Sequence, residues 1–246
     1  RQRQMCIRDR FLCVLCVISS ISFIVSAKEN KEYTSDNFLS VADGIIAWKK
    51  ADNGSEPDGY LINDKYLENA GTTPGDWYPI ALGRLGIQDN NEGYLAVIKD
   101  RVEERYRESG RLSAAKATEW HRIALAVLAM GGDPTNFGTD ENGAPINLIA
   151  DGTYDRGKTT PLGRQGINGW IWGLITLDSM RYAVPDGAYN TRDDIIVEII
   201  SKQLSDGGFA LSSDDADPDI TAMAITALAP YYNSEKTYSY HRKALS

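Results

Sequence analysis

Four clusters of residues carry the chemistry of this sequence: Asp76, Trp77 and Tyr78; Glu119, Trp120, His121 and Arg122; Asn168, Trp170 and Trp172; and Asp217, Asp219 and Thr221. Aromatic surface with a few convergent polar groups is the composition of a pocket for a small ligand. The candidate ligand-binding residues are therefore Trp77, Tyr78, Trp120, His121, Arg122, Trp170, Trp172, Asp219 and Thr221. A tryptophan recurring at a repeat period is also what core packing between two helical layers produces, so both readings stand at this point. His121, two residues after Glu119, has the residue types of a metal pair but reads rather as a core or capping histidine; no metal site is expected. The acidic stretch Asp206, Asp214, Asp215, Asp217 and Asp219 lacks the spacing of an EF-hand loop and reads as a solvated turn.

Cysteine chemistry is restricted to the N-terminus. Cys6, Cys13 and Cys16 all precede residue 28, which excludes a disulfide framework, a thiol nucleophile and a cysteine zinc site from the rest of the chain. The first ten residues, RQRQMCIRDR, resemble translated sequencing-adapter sequence and are set aside. Residues 11–25 are apolar, Val25-Ser26-Ala27 offers small residues for cleavage, and the chain turns polar at Lys28. That pattern predicts a secretory signal peptide over 11–27, short of the about 20 apolar residues a membrane span needs. Residues 28–246 are thus expected to be secreted or displayed at the cell surface, with no membrane span after cleavage and with the domain cut short at its C-terminal end. The net charge is −8, and removing the four arginines and one aspartate of residues 1–27 takes it to −11. An acidic chain argues against nucleic acid and anionic membranes as partners.

The elements that position these clusters repeat along the chain. Segments 76–85, 119–130, 168–180 and 219–229 are apolar nearly all round, and aligning Trp77, Trp120, Trp170 and Ile220 gives spacings of 43, 50 and 50 residues. A helix apolar on every side is buried on every side. Between them lie helices with one apolar stripe: Tyr94, Leu95, Ile98, Val102 and Tyr106 in 92–108, and Ile195, Ile196, Ile199 and Ile200 in 193–204. A short helix is predicted over 146–150 and an earlier one over 36–49. Alternation of fully and half-buried helices predicts an all-α fold of two concentric layers, an α/α toroid of helix hairpins. A closed ring of six pairs at ~45–50 residues per pair needs roughly 270–300 residues. Only 219 follow the signal peptide, so the ring is expected to be incomplete.

The sharpest local motif is Gln203-x3-Gly207-x-Phe209, followed by Asp217-Pro218-Asp219-Ile220-Thr221-Ala222. It reads as a helix–turn–helix joint, with glycine for the turn, Phe209 covering it and Asp217 or Asp219 capping the next helix. Gln203 is placed to hydrogen-bond backbone groups there. The motif resembles the Gln-x3-Gly-x-Trp core of the prenyltransferase and squalene-cyclase repeat, with Phe209 for Trp. The resemblance is strong over 195–230 and consistent over 70–190. It implies the α/α toroid of triterpene cyclases, protein prenyltransferases, complement thioester domains and cobalamin carriers related to intrinsic factor and transcobalamin. Exported bacterial cell-surface proteins with these repeats are the members most similar in character. Without cysteine, neither the prenyltransferase zinc site nor a thioester is implied. The cyclase motif Asp-x-Asp-Asp-Thr-Ala is matched at Asp217, Asp219, Thr221 and Ala222 but has Ile220 for its third Asp, and would make Asp219 the general acid. No cofactor is expected from the residues themselves; cobalamin enters by family analogy alone. The expected function is non-catalytic binding of a small apolar, corrinoid, glycan or peptide ligand. A cyclase-like enzyme and an adhesion scaffold are the alternatives.

Overall fold

The computed structural model describes residues 35–155 and 161–232. The segment 11–27 predicted as a signal peptide and His241 lie outside the described residues. Two compact units divide after Pro57. In the first, α1 (Ser35–Asn53) has Asp36 in its first turn and Lys50 in its last, the charge order that suits a helix dipole.

The second unit is all-helical among the described residues, with a single isolated bridge between Thr139 and Pro145. Its helices are α2 (Asp64–Leu67), α3 (Thr73–Leu85), α4 (Asn91–Ser109), α5 (Thr118–Ala129), α6 (Leu148–Gly152), α7 (Ile167–Asp178), α8 (Arg192–Ile200) and α9 (Pro218–Leu228). Helix α3 packs on α5, α5 on α7 and α7 on α9, while α6 lies against α5 and α8 against α7. The full burial expected of four helices holds for α5 and α7; α3 and α9, at the two ends of the row, are each covered on one side only, with Trp77 and Ile225 exposed. In α4 the stripe Tyr94, Ile98, Val102, Tyr106 is buried at four-residue spacing, one face of a helix.

Local chemistry fixes the helix ends. Asn90, Asn147 and Thr191 cap α4, α6 and α8 through their side chains, the last in a reciprocal capping box with Asp194, satisfying amides that have no partner within the helix. Asp217 caps α9 by accepting from Asp219 and Ile220 amides. Helix α3 carries Pro79 in its interior. A proline there leaves the carbonyl four residues earlier unbonded. The Tyr66 hydroxyl donates to that carbonyl, Gly75, at 3.0 Å.

Two details depart from the sequence expectation. Helix α2 is a single turn, too short for periodicity to reveal. Helix α8 stops at Ile200 rather than continuing to 204. There the Leu204 amide donates forward to the Gly208 carbonyl, Gln203 Nε2 donates to the Gly207 carbonyl at 2.8 Å, and Gly207 takes a φ of 89°. Phe209 is buried over this turn.

The inner helices approach closely at Gly83, where a Cβ would lie 2.0 Å from the Ala129 carbonyl oxygen. Backbone cannot retreat cheaply, so Gly83→Ala is expected to push α3 from α5 and cost roughly 1–3 kcal/mol. Denaturant unfolding would show this as a lowered midpoint at unchanged slope; an unchanged midpoint would refute the contact.

Candidate functional site

Helices α3, α5 and α7 start around one depression. Each contributes a pair of residues four apart, hence on one helix face: Thr73 and Trp77 from α3, Thr118 and Arg122 from α5, Asn168 and Trp172 from α7. Lys116, Glu119 and Gln165 complete the lining of a hollow of about 180 Å³. The Trp77 and Trp172 rings meet with centroids 5.4 Å apart and planes tilted by 57°. Trp77 remains 42 % exposed, unusual for so large an apolar ring.

The floor is a buried charge network. Asp76, fully buried, accepts from Arg122 Nε at 2.8 Å, from the Tyr94 hydroxyl at 2.7 Å and from the Gly71 amide at 2.7 Å. Arg122 also donates Nη1 and Nη2 to the two Glu119 oxygens at 2.7 and 2.9 Å, and Nη2 to the Gly71 carbonyl at 3.1 Å. Such a forked pair is geometrically specific as well as strong. Burial pushes the Asp76 carboxyl up, against the hydrogen bonds from Arg122, Tyr94 and Gly71. Burial also works against the Glu119 carboxylate, but Arg122 and Arg105 outweigh it and hold its pKa below the usual range. Burial opposes the Arg122 charge as well; Glu119 and Asp76 outweigh it and raise that pKa.

Two amides flank the rings. The Thr118 hydroxyl donates to Gln165 Oε1 at 3.0 Å. Asn168 Oδ1 is buried and accepts no hydrogen bond. Thr73, Lys116, Thr118 and Gln165 were not among the sequence candidates. The recurring four-residue spacing from Thr73, Thr118 and Asn168 was the signal that could have found the two threonines.

Of the candidates read from the sequence, Trp77, Arg122 and Trp172 meet at this depression. No family model, curated protein or solved structure matches the chain. The geometry therefore carries the functional argument alone. Trp120 lies two residues before Arg122 and Trp170 two before Trp172, about 200° round a helix, so each faces away from the hollow. Trp120 is fully buried and its Nε1 donates to the Tyr106 hydroxyl at 2.8 Å, which in turn donates to Asp151 at 2.6 Å. Trp120→Phe is expected to cost roughly 1–3 kcal/mol by removing that donor from a buried chain, read as a fall in thermal midpoint. Trp170 packs on Gly163, whose absent Cβ would sit 2.6 Å from its Nε1. Tyr78 stands edge-on to Tyr66, with centroids 6.4 Å apart.

His121 is buried between α6 and α7, its Nε2 bonded to the Gly152 carbonyl at 2.6 Å. Glu119 points instead to Arg122, so the two do not form a metal pair. Among the described residues no group of three or more His, Cys, Asp or Glu side chains is placed to hold a metal ion, and no helix is long and apolar enough to cross a membrane. Asp217 and Asp219 are exposed. Thr221 ties α9 to the preceding turn, its hydroxyl accepting from the Phe209 amide at 2.9 Å and donating to the Phe209 carbonyl at 3.2 Å. It borders a separate apolar groove of about 290 Å³ with Ile196, Phe209 and Ile225.

Proposed function

We propose that this chain is an exported, surface-displayed binding module of the α/α-toroid kind, non-catalytic, whose small ligand sits in the depression between the starts of α3, α5 and α7. The packing of α3, α5, α7 and α9 in sequence order supports the toroid, as does the hydrogen-bonded joint at Gln203, Gly207 and Phe209. One observation carries the binding reading. Trp77 and Trp172, from helices separated by α5, bring their rings together at the rim of a polar hollow instead of into the core. Exposed aromatic surface beside fixed polar groups is how small-molecule sites gain affinity and orientation together.

The hollow selects against large ligands. Its about 180 Å³ falls below the roughly 300–1,000 Å³ of sites for drug-sized molecules. The buried His121 is bonded to the Gly152 carbonyl rather than turned into the hollow. Nothing in the geometry favours acid catalysis: Asp219 is exposed, and alkene protonation needs an acid held by buried partners.

Native mass spectrometry of the protein purified from its host tests the proposal. The expected result is a co-purifying small molecule that is lost in Trp77→Ala and in Trp172→Ala. A bare protein mass, unchanged after incubation with host extract, would contradict it and favour the scaffold alternative.

A further inference from the structure

Resting on that reading of the depression, we infer that its ligand is a neutral sugar residue of a glycan, seated against Trp77 and Trp172 and hydrogen-bonded by the amides of Gln165 and Asn168. Size is the first argument. About 180 Å³ lies below the roughly 300–1,000 Å³ of sites for drug-sized molecules, which points to a ligand portion as small as one sugar residue. Shape and polarity are the second. A pyranose has an apolar C–H face and a rim of hydroxyls. Indole rings present a polarizable, electron-rich surface that attracts such C–H bonds, and two of them meet here at 5.4 Å.

The hydrogen-bond inventory is the third argument. Asn168 lines the hollow, and its Oδ1 is buried without a partner. Gln165 has given its oxygen to Thr118, so its amide hydrogens ask for an acceptor. A hydroxyl is both donor and acceptor, and serves either orientation of an amide.

Charge supplies the fourth. Arg122 is divided between Asp76 and Glu119, and Glu119 between Arg122 and Arg105. Their charges are paired inside the protein, and Lys116 stands at the rim. With the buried charges already paired, the floor of the hollow needs no counter-charge from the ligand.

The test is titration of the full chain, followed by calorimetry and tryptophan fluorescence, with cellobiose, maltose, xylobiose and diacetylchitobiose. Glucuronic acid and glucosamine serve as charged counterparts. The expected result is saturable binding of at least one neutral disaccharide, weakened tenfold or more in Asn168→Ala and in Gln165→Ala, with both variants retaining the wild-type thermal midpoint within a few degrees. The charged sugars are expected to bind at least tenfold more weakly. No saturable signal from any neutral disaccharide, or tighter binding of a charged sugar, overturns the inference. If sugars fail while a co-purifying molecule is still lost in Trp77→Ala, the sugar class falls and the site stands. If both experiments fail, the site falls with it.

Discussion

Replacing Asp76 with alanine is expected to lower the stability of the fold by roughly 3–5 kcal/mol, the usual cost of removing one partner from a buried ion pair. Arg122 would lose its Nε acceptor, and the Tyr94 hydroxyl and Gly71 amide would lose theirs. For a chain of this size each kcal/mol moves the thermal midpoint by about 2–4 °C, so the expected fall is roughly 6–20 °C by circular dichroism. A double change, Asp76→Ala with Arg122→Met, is expected to recover part of the loss, because an apolar side chain needs no counter-charge. A single variant that melts with the wild type would show that the network does not hold α3 to α5.

Acidification below about pH 6.5 is expected to destabilise the protein through His121. Burial lowers its pKa from 6.5 to about 4, against the smaller opposing effect of the Gly152 carbonyl. The imidazole is neutral in the fold, with Nε2–H donating to Gly152, and unfolding releases it to take a proton. The unfolded state therefore binds more protons between pH 6.5 and 4. The stability His121 contributes is complete above about pH 6.5 and is lost as pH falls toward 4, at about 1.4 kcal/mol per pH unit, roughly 3 kcal/mol in all. His121→Gln cannot titrate. Its midpoint is expected to be lower than wild type at pH 7 and to change much less between pH 7 and 5. Parallel pH profiles for the two proteins would assign the acid sensitivity to other groups.

The helices were legible in the sequence because their burial is written in period. Tyr94, Ile98, Val102 and Tyr106 needed one face covered, and the structure covers it. The end of α8 was not legible: Ile199 and Ile200 continue the stripe to a point where only the loop geometry of Gln203 and Gly207 decides. At the site, aligning Trp77 with Trp120 and Trp170 put the register two residues off. The structure pairs Trp77 with Arg122 and Trp172 instead. Two residues are slightly more than half a helical turn, enough to exchange a rim position for a core position. Nor does a sequence reveal that Arg122 of one helix pairs with Asp76 of another, since 46 positions separate them. Partner choice across helices is a property of packing, and composition shows only that both charges exist.

The most direct test is nuclear magnetic resonance of the tryptophan indole N–H groups, of which the chain has five. On titration with the co-purifying molecule, or with a disaccharide that binds, the Trp77 and Trp172 signals are predicted to shift together and saturate. The Trp120 signal, tied to the Tyr106 hydroxyl, is predicted to stay in place. Saturable binding that leaves Trp77 and Trp172 unmoved would place the ligand elsewhere on the molecule and contradict the account.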